Sequence, residues 1–320
     1  MRDSFIRALT ELAAEDPRLM LLTGDLGFAV LDDFTARFPD QHVNAGIAEQ
    51  NMTAVACGMA MAGARAYTYS IGNFPTLRCL EQLRNDVCYH RADVIAVAVG
   101  GGFSYGQLGM SHFATEDLAI LRALPEMTVV APSDPWQAYA LTRQLHARGG
   151  PGYLRLDKAQ AGLPEAEVEL GKVRTVRDGG DAVIFSTGGI LGEALAAADL
   201  LAREAISVRV VDVHTLKPFD AGGVLAAARA CPYVLTLEEH TVIGGLGGAV
   251  AEACLEGGVA LKGFARVGLA DLYPSEVGDQ NHLRAHYQLD RLAVARRLRA
   301  MLRGDRSPAI VGLEEIRQDR

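Results

Sequence analysis

The chain is short of several things, and each shortage narrows its chemistry. No stretch approaches the roughly 18 consecutive apolar residues of a membrane span; the longest apolar runs, such as Val94 to Val99, have the length of buried strands. The opening segment MRDSFIRALTELAAEDP carries acidic residues and no continuous apolar core, so it does not have the form of a secretion signal. Cysteine is scarce and scattered: Cys57, Cys79, Cys88, Cys231 and Cys254 are odd in number and form no CxxC pair. That argues against a disulfide framework and a zinc site, and points to a reducing cytoplasm. Positive charge is in deficit. A net charge of −8 offers no basic footprint for nucleic acid, although a few local cations would suffice for a small anion. No internal repeat is visible.

What is present is an ordinary globular composition, 49% hydrophobic and 22% charged, in 320 residues. That length suggests about two domains. Hydrophobic periodicity alternates between strand and helix. A helix is expected from Asp3 or Ser4 to Glu15, a strand at Leu19–Leu22, and a helix starting near Glu49 with Met52, Ala56 and Met59 on one face. Strands are expected at Ala66–Ser70, Asp93–Val99, Thr128–Val130 and Tyr153–Leu156, with helices marked by Leu80, Leu83 and Val87, by Thr115–Leu124, and after Asp134. The pattern lapses between Ala159 and Gly180 and then resumes: a strand at 181–189, a helix at 192–204, one strand over 208–218, another at 233–240, a helix after Gly248 and an amphipathic helix at 290–302. This is α/β grammar: two doubly wound domains with mostly parallel sheets. The expected divisions are 1–162, a linker at 163–180, 181–305, and a polar tail at 306–320.

The segment GIAEQNM at 46–52 places a carboxylate, Glu49, where a glycine-marked loop becomes a helix. A lone acidic residue there more often complements the helix dipole than performs chemistry. Its surroundings change the weighting. LLTGDL, FPDQHVNAGIAEQNM, AVACGMAMAGARAYTYS and NFPTLRCLEQLRNDV, followed by GQLGMSH, LRALPEMTVVAPSD and GPGYLRL, resemble in order the pyrimidine-binding domain of transketolases and deoxyxylulose-phosphate synthases. VHTLKPFD and LEEHTVIGGLG resemble the transketolase C-terminal domain, so the likeness spans roughly residues 10 to 300.

The resemblance implies a thiamine-diphosphate enzyme that transfers a two-carbon ketol unit between sugars or sugar derivatives. Its carbanion chemistry belongs to the cofactor. Glu49 would hydrogen-bond the aminopyrimidine and drive its tautomerisation, which requires the carboxylate to share a proton. Phe74, with Tyr69 second, would stack on the pyrimidine. Asp25 would lie near the cofactor, and His112 near the substrate carbonyl as a proton or hydrogen-bond donor. Leu108 stands where transketolases usually carry an aspartate that contacts a substrate hydroxyl. Lys158 stands at a position often held by a phosphate-binding arginine, whose bidentate fork lysine cannot reproduce. The glycines at 244–248 could suggest a phosphate cradle, but the resemblance makes that segment structural; His240 could face a neighbouring subunit's site.

Also implied is a missing half. The GDG motif and downstream asparagine that hold Mg²⁺ and the diphosphate are not in this sequence. Gly24-Asp25-Leu26 with Asn51 lacks the second glycine, so no metal ligand is assigned here. The expected partner is an N-terminal diphosphate-binding subunit that carries the Mg²⁺, in an α2β2 assembly. Two other readings share the domain pair: the β-subunit of a 2-oxoacid dehydrogenase E1 component or a deoxyxylulose-phosphate-synthase-like enzyme, and a non-catalytic scaffold.

Overall fold

The computed structural model describes residues 1–27 and 29–305; the expected polar tail, 306–320, lies outside them. The first six strands are β1 (Leu19–Thr23), β2 (His42–Asn44), β3 (Arg65–Ile71), β4 (Val94–Val99), β5 (Thr128–Val130) and β6 (Gly152–Leu156). The rest are β7 (Arg174–Arg177), β8 (Ala182–Ser186), β9 (Val208–Asp212), β10 (Thr215–Lys217), β11 (Tyr233–Thr241) and β12 (Gly263–Leu269). The helices are α1 (Arg2–Glu15), α2 (Asp32–Arg37), α3 (Glu49–Met61), α4 (Leu80–Gln82), α5 (Asp117–Ala123) and α6 (Pro135–Arg148), then α7 (Leu191–Ala202), α8 (Ala221–Ala230), α9 (Leu246–Glu256), α10 (Gln280–His286) and α11 (Arg291–Arg303).

They form two sheets, a 7-stranded one in the order β10-β5-β6-β4-β3-β1-β2 and a 5-stranded one in the order β12-β11-β8-β9-β7. Every neighbouring pair is parallel except β10 on β5 and β7 on β9. The two α/β domains with mostly parallel sheets are therefore as the alternating pattern implied. Helices cover both faces, so central strands such as VIAVAV of β4 and AVIFS of β8 are buried along their whole length. On the first sheet, Phe5 and Leu9 of α1 and Leu141 of α6 pack on one face with Tyr67 and Tyr69. Met52 and Ala56 of α3 pack on the other, against Leu22, Ala66 and Val94. Alternation along β3 thus sends Tyr69 to the α1 face and Ser70 to the α3 face.

Four expectations are corrected. The single strand at 208–218 is two: β9 ends at Asp212, and β10 crosses over to pair Thr215 with Val130 of the first sheet. The buried pair Val213–His214 makes the crossing. The linker at 163–180 contains β7, whose RTVR alternation and charge suit a half-exposed edge strand. The segment marked by Leu80, Leu83 and Val87 is not one regular α-helix. After Gln82 it widens to π-turns over Leu83–Cys88, which brings Leu83, Val87 and Cys88 to the core together. Finally, β2 and β12 went unforeseen: three residues of β2 show no period, and β12 opens on glycine.

Candidate active site

Strand β1 is followed by β2 on one side of it, whereas β3 lies on the other side. The chain therefore reverses its direction of sheet growth at β1, which makes the carboxyl ends of β1 and β3 a topological switch point. Such a switch point is where open α/β sheets bind ligands. Glu49 stands in it. As the first residue of α3 it points back over the sheet and is only 2% exposed. Ser70 Oγ, at the end of β3, donates to Glu49 Oε1 at 3.1 Å, and Arg78 Nη1 donates to Oε2 at 2.6 Å. Gly24, just past β1, leaves the room: a Cβ there would come within 3.3 Å of the Glu49 Cγ and Oε1.

The loop after β3 brings the next group. Phe74 sits between two partners. The Arg78 guanidinium lies over its ring at 4.3 Å from the centroid, and the His112 ring meets it edge-on at 5.2 Å and 67°. Cys79 Sγ donates to the Phe74 carbonyl at 3.2 Å and fixes the loop behind it. His112 ends a short turn, Met110–His112, and Ser111 Oγ lies 3.1 Å from its Nδ1. The close approach of the two loops depends on Gly72, which has φ +49° and whose Cβ would fall 2.7 Å from the His112 carbonyl oxygen. Glu49, Phe74 and His112 are thus brought to one place, with Arg78 touching the first two.

Asp25 is nearby but otherwise engaged. It adopts φ +56° and is clamped by Asn44, whose Nδ2 donates to Asp25 Oδ1 at 3.0 Å while Asn44 Oδ1 accepts from the Asp25 amide at 3.1 Å. Asn44 Oδ1 also accepts from the Gly46 amide at 3.0 Å, so one side chain shapes both loops leading to α3. Tyr69 is not brought to Glu49. It is buried on the opposite face, stacked on Phe5 at 6.0 Å, and burial raises its phenol above the ordinary value. It lines, with Arg2, Asp25 and Tyr105, a separate cleft of about 360 Å³. Lys158 belongs with that group: its Nζ lies 3.9 Å from the Tyr105 ring centroid, and burial, with Arg2 adding to it, lowers its pKa. Leu108 is 54% exposed on the loop that leads to His112.

Two other candidates are interior. His240 is fully buried, with Nδ1 2.7 Å from the Thr241 carbonyl oxygen, so it does not face outward to another subunit. Burial alone would lower its pKa, but Glu238 and Asp117 outweigh that and raise it. The amides of Leu246 and Gly247 donate to Glu238 at 2.7 and 2.8 Å, so the glycine segment is filled by the protein's own carboxylate. Among the described residues no cluster of three or more His, Cys, Asp or Glu is arranged to hold a metal ion, and no helix is long and apolar enough to cross a membrane.

The sequence matches the transketolase pyrimidine-binding domain model over residues 1–162 and the transketolase C-terminal domain model over 171–294. The chain belongs to the transketolase family. It is 35% identical over 304 residues to a putative transketolase C-terminal section of Methanocaldococcus jannaschii, covering 93% of this chain and 95% of that one. It is 36% identical over 300 residues to a 6-deoxy-6-sulfo-D-fructose transketolase subunit of Clostridium sp. strain MSTE9, covering 92% of each. A solved structure titled as a split-gene transketolase, inactive β4 tetramer, superposes with a TM-score of 0.85 at 34% identity over 95% of this chain and 98% of that one. A 1-deoxy-D-xylulose-5-phosphate synthase of Syntrophotalea carbinolica matches 95% of this transketolase-family chain at 36% identity, but only 48% of the synthase itself.

Three residues at the site escaped the sequence reading: Ser70, Arg78 and Asn44. Arg78 had a readable signal, a lone cation four residues after the aromatic candidate in NFPTLR. Ser70 could have been found from its alternation with Tyr69 in AYTYS, which puts one of the two on the α3 face.

Proposed function

We propose that this chain is the pyrimidine-side subunit of a thiamine-diphosphate-dependent split transketolase, which moves a two-carbon ketol unit between sugars or sugar derivatives. The observation that carries this is Glu49: a carboxylate almost removed from solvent, at the β1/β3 switch point, joined through Arg78 to the aromatic face of Phe74. A buried carboxylate with a partly exposed partner is poised to exchange that partner for a ligand. The residues suit an aminopyrimidine, with Glu49 sharing a proton with its ring nitrogen and Phe74 as its stacking platform. When bound, thiamine diphosphate supplies the carbanion chemistry. The chain's own residues hold the ring, keep a proton shared at a Glu49 oxygen, and offer the His112 imidazole, beside Phe74, as donor to a substrate oxygen.

The diphosphate and Mg²⁺ would be held mainly by an N-terminal partner subunit, in an α2β2 assembly. Relatives named as subunits and as a C-terminal section support a partner chain. Leu108 and Lys158 are the positions we assign to substrate selectivity. The synthase relatives favour one competing reading, a deoxyxylulose-phosphate-synthase-like condensation. Reconstitution with the diphosphate-domain subunit decides between them. Ketol transfer from a ketose to an aldose, dependent on thiamine diphosphate and Mg²⁺, is the expected result; product formed only from pyruvate would reject it.

A further inference from the structure

The two groups assigned to the aminopyrimidine are both already engaged by one side chain. Arg78 Nη1 donates to Glu49 Oε2 at 2.6 Å, and the Arg78 Cζ lies 4.3 Å from the centroid of the Phe74 ring. A guanidinium is flat and delocalised, stacks on aromatic faces and presents N–H donors in its own plane. An aminopyrimidine laid on Phe74 against Glu49 would make the same pair of contacts. We infer that Arg78 is an internal ligand of the pyrimidine seat, filling it in the empty chain and leaving it when the cofactor enters. This rests on the assignment of Glu49 and Phe74 to the aminopyrimidine.

The two ends of the contact differ in how firmly they are held. Glu49 is 2% exposed, anchored in α3 and by Ser70; the Arg78 side chain is 42% exposed and springs from the loop between β3 and α4. Arg78 can therefore swing into water while Glu49 stays in place. In the empty chain the guanidinium compensates a carboxylate that would otherwise be buried without a partner. In the loaded one it would hold the negative charge on Glu49, where activation needs a proton shared with the ring. Staying and activating are incompatible, so loading requires exchange. The consequence is thermodynamic: apparent cofactor affinity is reduced by the fraction of chains in which Arg78 has already left.

The test is calorimetric titration of thiamine diphosphate, with Mg²⁺, into the complex reconstituted with the diphosphate-domain subunit. Wild type, Arg78→Met, Arg78→Lys and Glu49→Gln are compared, with circular dichroism and melting temperature confirming that each is folded. Arg78→Met should bind the cofactor about three- to tenfold more tightly than wild type, because the competitor is gone. Arg78→Lys, which keeps the charge without the flat fork, should fall between. Unchanged or weaker binding by Arg78→Met overturns the internal-ligand role and leaves the site assignment standing. Wild-type affinity in Glu49→Gln overturns the assignment and this inference with it. Independently, the Arg78 Nε–Hε resonance should shift when Glu49 is changed to Gln and again when cofactor saturates the wild type. A resonance that moves with neither overturns the exchange.

Discussion

Two glutamates in this molecule are equally hidden from water and differently built. Glu239, at the meeting of the two sheets, is 1% exposed and accepts from the Phe103 amide at 2.6 Å and from Gln280 Nε2 at 2.8 Å, and it pairs with Arg284, itself only 4% exposed. Gly102 makes way for it, since a Cβ there would fall 2.3 Å from its Oε1. Glu49 accepts from one hydroxyl and from one arginine that is partly in solvent. Burial alone therefore does not mark a functional carboxylate. What separates the two is whether the partners are as buried as the acid. Fixed partners make a strut between domains; a displaceable partner makes a seat.

The comparison can be broken at either end. Glu49→Gln, in the reconstituted enzyme, should lower turnover by about 10²–10⁴-fold, the range for removing a positioned acid–base group. Its unfolding midpoint should stay close to wild type, because an amide can still accept from Ser70. Turnover within a few-fold of wild type would move Glu49 into the class of struts and favour a scaffold subunit. Glu239→Ala should do the converse. It strands Arg284 and the Phe103 amide in the interior, at a cost of about 3–5 kcal/mol in urea unfolding. A loss below about 1 kcal/mol would mean that the interdomain network is not what holds that carboxylate's surroundings together.

The same contrast explains what could be read from the sequence. The alternation of strands and helices follows from apolar periodicity, and β3, β4 and the start of α3 lie within a residue of where the pattern put them. Glu49, Phe74 and His112 were legible because each sits in a segment resembling the transketolase family, and the fold brings those segments together. The failures are local and physical. Tyr69, second to Phe74 as a stacking residue, lies on the α1 face instead, because a strand's two faces look alike until its partner helices are known. The 208–218 strand was drawn whole because nothing in VVDVHTLK announces that half of it will pair antiparallel with Val130. Arg78 carries no period, and its one signal, a cation four residues after Phe74, does not say which way a loop side chain turns.

Asp212 is a further buried acid, and its surroundings should be visible in pH. Burial raises its pKa to about 6, against the opposing pull of the Gln137 and Arg174 side chains. The folded state thus holds the proton more tightly than the unfolded chain, whose carboxylate titrates near the ordinary value. Protonated Asp212 costs nothing below about pH 4, and stability falls as pH rises from about 4 to about 6 and stays lost above it. The full loss is about 3 kcal/mol at about 1.4 kcal/mol per pKa unit. Asp212→Asn should remove that slope, so the difference in urea unfolding between wild type and variant should change steeply over pH 4–6 and be flat from 6.5 to 8. A flat difference throughout would show that Asp212 is ionised, and paid for by its donors, across the whole range.

The smallest expected effect lies in the cleft on the α1 face, where Lys158 covers Tyr105. Exposed cation–π pairs are worth about 0.5–1 kcal/mol, so Lys158→Met should cost no more than that in stability. What sharpens the comparison is catalysis. If Lys158 serves as a point charge for an anionic substrate, Lys158→Met raises KM for a phosphorylated sugar by about tenfold, leaves KM for the unphosphorylated analogue alone, and changes kcat little in either case. Equal kinetics with both sugars would assign Lys158 to packing on Tyr105. The cleft shared by Asp25 and Tyr69 would then stand apart from the switch point that holds Glu49, and selectivity would rest on the exposed Leu108 and the His112 loop.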